Sequence, residues 1–81
     1  MKGFILAGDY RQYRTCLWDW ELDHREWLYL GEIHRIRGRS GFTILCYGTW
    51  YTRKDASDIL EYSKVLGATV LDTRPVTAGS G

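Results

Sequence analysis

An 81-residue chain with 44% apolar and 15% aromatic content supports one compact core and excludes two domains. Domains of this size bury a modest fraction of their unfolded surface, and four Trp, six Tyr and two Phe supply the large rings that compensate. A formal net charge of +1, with acids and bases spread along the chain, excludes a global electrostatic pull toward nucleic acid or an anionic membrane, so any such partner needs a local patch.

Residues 3–7, GFILA, form a short apolar run closed by Gly8-Asp9, the signature of a buried strand turning into a helix. Asp9 suits the helix N-cap, where its carboxylate accepts from the free N–H groups of the first turn. In the segment YRQYRTCLWDWEL that follows, Tyr10, Tyr13, Leu17 and Trp20 recur at helical spacing, which predicts an amphipathic helix running to about Leu22-Asp23. Trp18 and Trp20 are two positions apart and cannot share its core face, so one of them is expected outside.

WLYL at 27–30 reads as a second core strand ended by Gly31. EIHRIR at 32–37 allows one or two helical turns with Ile33 and Ile36 inward and Gly38 in a left-handed cap. FTILCYG at 42–48 is apolar almost throughout, as befits a strand covered on both faces. After the loop TWYTR, the segment KDASDILEYSKVLG places Ala56, Ile59, Leu60, Ser63 and Leu66 on one helix face, with Thr52 or Asp55 to start it and Gly67 to close it. ATVLD at 68–72 is a fourth strand, at an edge, and 73–81, TRPVTAGSG, is expected to be a frayed tail or partly foreign to the native chain.

Strands alternating with helices predict an α/β domain in three layers, with a three- to four-stranded, mainly parallel sheet of order 2-1-3-4 and helices on both faces. This is a small Rossmann-like or flavodoxin-like arrangement spanning residues 1–72. In that order the loops Gly8-Asp9-Tyr10 and Gly48-Thr49 meet at the carboxyl ends of strands 1 and 3, where ligands of such sheets sit. Strands 2 and 4 expose edges, which allows a homodimer as well as a monomer.

The candidate chemistry is sparse. The turn after strand 1 has one glycine and puts Asp9 where a phosphate would lie, which argues against a nucleotide loop. Strand 3 ends in Tyr47-Gly48-Thr49 and lacks a carboxylate to seat magnesium. Cys16 and Cys46 are 30 positions apart, without ligand-like spacing to each other or to His24 and His34, so two buried free thiols are expected and no metal or other cofactor. No catalytic triad or zinc-hydrolase signature occurs. Asp9, Thr49 and Arg53 are the sole enzyme-like trio, and Asp23-His24-Arg25-Glu26 reads as a solvated connection. His34, Arg35, Arg37 and Arg39, extended by Arg53 and Lys54, concentrate positive charge; they can contact phosphates or simply face solvent. Trp50 and Tyr51 follow a glycine in a loop, and with Trp18 and the arginines they have the composition of a protein-contact surface.

The pieces FILAGDYRQYR, REWLYL, IRGR and YGTWYTRKDASDIL together resemble a group of small proteins encoded by bacteriophages of actinobacteria, over roughly residues 3–71. That group carries no assigned chemistry, and this chain departs from it near Asp23-His24, where a proline would be expected. The resemblance implies a phage accessory protein in the cytoplasm of the infected cell. No run approaches the roughly 20 apolar residues that span a bilayer, and MKGFILAGD is short for a signal sequence, which agrees with that location.

The expectation is therefore a non-enzymatic module that binds and modulates a host or phage protein through Trp18, Arg35, Arg37, Arg39, Trp50, Tyr51 and Arg53. Nucleic-acid binding through the Arg35–Arg39 loop is the second reading. The third is a nucleotide or small ligand held by Gly8, Asp9, Tyr10, Gly48 and Thr49.

Overall fold

The computed structural model describes residues 2–72; the expected tail at 73–81 lies outside the described residues. The chain runs β1 (Gly3–Ala7), α1 (Tyr10–Asp19), β2 (Trp27–Tyr29), a 3-10 turn (Ile33–Ile36), β3 (Thr43–Tyr47), a second 3-10 turn (Trp50–Thr52), α2 (Ala56–Val65) and β4 (Thr69–Asp72). The sheet order is β2-β1-β3-β4 and every pairing is parallel, as the alternation of strands and helices predicts. Phe4 stands between Leu28 and Ile44, and Ile5 between Tyr29 and Leu45.

Strand alternation divides the core in two. On one face Phe4, Leu6, Ile44 and Cys46 pack with Leu30, Ile36, Phe42 and Ile59 under the first 3-10 turn and α2. On the other face Ile5, Ala7 and Leu45 pack with Tyr13, Cys16 and Leu17 of α1. β1 is buried at every position because it lies at the centre of the sheet with helical layers on both sides. The two free cysteines are both buried, in cores on opposite faces of the sheet.

Asp9 caps α1 as expected, its carboxylate accepting from the Gln12 N–H at 2.8 Å. The buried stripe of α1 is Tyr13, Cys16 and Leu17, whereas Tyr10 and Trp20 are half exposed. Both Trp18 and Trp20 lie outside the core, at 85% and 54% exposure.

The helix also stops earlier than its pattern suggests. Glu21 adopts φ 52°, the Glu21 N–H donates to the Trp18 carbonyl, and the Leu22 N–H donates to the Leu17 carbonyl at 2.9 Å. This is the double bond that closes a helix through a left-handed residue. α2 ends by the same geometry, with Gly67 at φ 74° and the Ala68 N–H reaching the Ser63 carbonyl at 2.9 Å. Gly67 advertises that stop in the sequence; Glu21 does not.

Candidate functional site

The carboxyl end of the sheet brings Gly8 and Thr49 together, and a side chain of the protein already lies between them. Gln12, on the first turn of α1, accepts through Oε1 from the Gly8 N–H at 2.9 Å and from the Thr49 N–H at 2.9 Å. Its Nε2 donates to Thr49 Oγ1, also at 2.9 Å. A Cβ on Gly8 would fall 2.3 Å from Thr49 Oγ1, and one on Gly48 would fall 2.2 Å from Gln12 Oε1. Gly48 also holds φ 64°, which favours glycine, and any side chain there would push Gln12 out of its place. The backbone donors that could cradle an anion are thus turned onto an amide of the chain. A ligand between these loops would have to displace Gln12.

The second half of the crevice is filled by Arg53. Its Nη1 donates to the Ala7 carbonyl at 3.1 Å and to the Leu30 carbonyl at 2.8 Å, and its Nη2 donates to the Gly31 carbonyl at 2.8 Å. Nε and Nη2 also bind the Asp55 carboxylate, at 3.0 and 2.9 Å. All the N–H donors of a guanidinium are therefore engaged. With its side chain only 11% exposed, Arg53 is a clamp over the ends of β1 and β2 and presents no charge to a partner. The requirement explains Asp55 too: it occupies the cap position of α2 without making a cap bond, because its carboxylate faces Arg53.

The remaining sequence-derived candidates are scattered. The segment 32–41 descends from the carboxyl end of β2 to the amino end of β3, so its arginines are strung along one face. Arg35 and Arg37 are exposed. Arg39 is drawn back, donating from Nε to the Arg35 carbonyl at 3.2 Å and lying 5.4 Å from the centre of the Phe4 ring. Trp50, at the opposite end of β3, is half-buried against the core beneath α2, and Tyr51 stands edge-on to it with ring centres 5.8 Å apart. Trp18 lies on α1, across the sheet from all of these. Asp9 is occupied as a cap, and Tyr10 points away from the loops into an aromatic cluster with Tyr13 and Tyr29, all three pairs of centres 5.4 Å apart.

Tyr10 and Tyr13 of that cluster line a groove on the outer face of α1. The Tyr13 hydroxyl donates to the Trp27 carbonyl at 2.7 Å, which fixes α1 across β2 and leaves a groove of about 430 Å³ along its outer side. Tyr13 and Leu17 form its floor, and Tyr10, Trp18 and Leu22 its apolar walls. Arg14 and His24 complete its lining. Residues 10, 14 and 18 are successive turns of one helix, so the aromatic, cationic and aromatic groups stand in a row. Leu22 reaches the groove because the left-handed Glu21 folds the chain back on Leu17.

On the inner side of α1 the chemistry is inert. Burial pushes the Cys16 thiol up to about 11, with help from the nearby Asp19 carboxylate. The Tyr47 hydroxyl donates to Asp19, and that bond, together with burial, pushes the phenol up to about 12. Neither group is an available nucleophile or base near neutral pH.

Compared with protein-family models, curated proteins and solved structures, the chain matches none.

Gln12 carries no signal in the sequence beyond its position four residues after Gly8 and its place opposite a second glycine at Gly48. Arg53 carries one: a carboxylate two positions later, at Asp55, in a loop that follows a central strand. Leu22 and His24, beyond the observed end of α1 at Asp19, become part of the groove through a turn that has no glycine to mark it.

Proposed function

We propose that this protein is a non-enzymatic binding module that attaches to another protein through the outer face of α1. The observation that carries this reading is the contrast between a carboxyl-end crevice filled by Gln12 and Arg53 and an α1 surface on which Trp18 stands 85% exposed beside Tyr10 and Leu22. Large aromatics flanked by a cation are the side chains that dominate protein interfaces. The resemblance to actinobacteriophage proteins makes the partner a host or phage protein and the setting the cytoplasm of an infected cell. A folded platform of this size can block or redirect such a partner without any chemistry of its own.

The surface is narrower than the sequence suggests. Trp18, Tyr10 and Arg14 form it; Arg53 and Trp50 serve the fold. The test is affinity capture from infected and uninfected actinobacterial lysate, comparing wild type with Trp18→Ala and with Arg37→Ala. A partner should be retained by wild type and Arg37→Ala in equal amounts and lost with Trp18→Ala. Equal recovery by all three proteins would remove the reading.

Nucleic-acid binding ranks second, favoured by Arg35 and Arg37, whose side chains make no hydrogen bond or ion pair among the described residues. Two free guanidinium groups neutralise few phosphates, so the salt slope of any such binding would be shallow. A salt titration on mixed-sequence DNA and RNA decides it: no complex at low salt eliminates this alternative.

A further inference from the structure

The groove on α1 has a chemical bias that goes beyond protein binding in general, and the inference drawn from it rests on that reading. Its walls and floor are apolar, its one permanent charge is Arg14, and no carboxylate is among its lining residues. Arg14 makes no hydrogen bond or ion pair among the described residues, in contrast to Arg25, which is paired with Asp23 at 3.2 Å, and to Arg53, whose donors are all engaged. The nearby acids lie outside it. Asp19 and Glu21 line an adjoining depression that shares Leu17, Trp18 and Leu22 with the groove, Asp19 accepts from Tyr47, and Asp23 is held by Arg25.

We propose that the α1 groove binds an acidic peptide segment of the partner, seating an apolar side chain between Tyr10 and Trp18 over Leu17 and setting an adjacent carboxylate on Arg14. A guanidinium with unused donors on an open apolar surface is suited to a two-point grip on a carboxylate. The aromatic walls remove competing water from that contact, which strengthens it over a solvent-exposed ion pair. A nucleic acid is the less suitable occupant, because a strand draws its affinity from a run of phosphates and this groove offers one permanent cation among apolar walls.

The probe is a random-peptide display library panned on the full chain, with Trp18→Ala used as the counter-selector. Enriched peptides should carry an aromatic or aliphatic residue next to Asp or Glu. The selected peptide should bind about tenfold more weakly to Arg14→Gln, a change of about 1.4 kcal/mol, while the unfolding midpoint of that variant stays at the wild-type value. Binding of the peptide to ¹⁵N-labelled protein should shift the amide signals of Tyr10, Arg14, Trp18 and Leu22.

Enrichment of neutral or basic peptides that need Trp18 would overturn the acidic assignment and leave the binding surface standing. Peptides that bind Trp18→Ala as well as wild type would overturn both. No enrichment, displacement of the peptide by oligothymidine, or a dimer in sedimentation that Trp18→Ala dissolves would each overturn the proposed occupant. The last result would assign the groove to a second copy of the chain.

Discussion

The carboxyl end of the sheet and the outer face of α1 are opposite solutions to the same problem of polar and apolar groups left over after the core is built. At the sheet end, three backbone carbonyls and two loop N–H groups are met by Arg53 and Gln12, and the surface is closed. On α1, Tyr10, Trp18 and Arg14 are left without such closure, and the surface is open. The place where a parallel sheet usually receives a ligand has been turned into structure. The open groove lies instead on a helix face that the architecture alone would not nominate.

The contrast can be broken most forcefully at Arg53. Arg53→Ala strips three backbone carbonyls and Asp55 of their donor in a largely buried site, and should cost about 3 kcal/mol in urea unfolding. A loss below about 1 kcal/mol would mean the clamp is ornamental. Alkaline titration probes the layer beneath α1. Cys16 and Tyr47 both have folded pKa values raised above their ordinary ones, to about 11 and about 12, so the unfolded chain ionises first as pH climbs. Their contribution is complete below about pH 9 and fades above it, through pH 11 for Cys16, whose share is at most about 3 kcal/mol. Cys16→Ala should flatten that decline in a series of unfolding midpoints.

Smaller effects test the other parts. Gln12→Ala releases the Gly8 and Thr49 N–H groups to solvent and should cost about 1 kcal/mol, whereas Gln12→Glu, which keeps the acceptor, should cost less. Glu21→Gly places at a left-handed position the residue that favours it, and should stabilise the domain by about 0.5–1 kcal/mol. At the end of the scale, Trp18→Ala should move stability by less than about 0.5 kcal/mol while abolishing partner capture. A large loss of stability there would show that the indole serves the fold.

The architecture was legible in the sequence because its determinants are local and repeated. GFILA and FTILCYG are continuous apolar runs, Asp9 and Gly67 mark helix ends, and the alternation of elements leaves few topologies. The sites were less legible because they depend on which polar side chain turns inward. Arg35, Arg37, Arg39 and Arg53 look alike in a list of cations, and only the three-dimensional position of the Ala7, Leu30 and Gly31 carbonyls singles out Arg53. Trp18 and Trp50 were grouped for a similar reason: Trp18 lies in the β1–β2 crossover and Trp50 in the β3–β4 connection, and because the winding reverses between β1 and β3 these pack on opposite faces of the sheet. The shortened α1 was hidden by Glu21, whose side chain gives no hint of a left-handed backbone.

The central position of β1 has a consequence for synthesis on the ribosome. The strand made earliest among those described has neighbours on both sides: β2 must be laid on one flank and β3, ending at Tyr47, on the other. Until Tyr47 has emerged, GFILA is an apolar ribbon with an unsatisfied flank, and the latch at Arg53 comes later still. Nascent chains arrested before that residue should be protease-sensitive and bound by trigger-type chaperones, and those extended through α2 should abruptly become resistant.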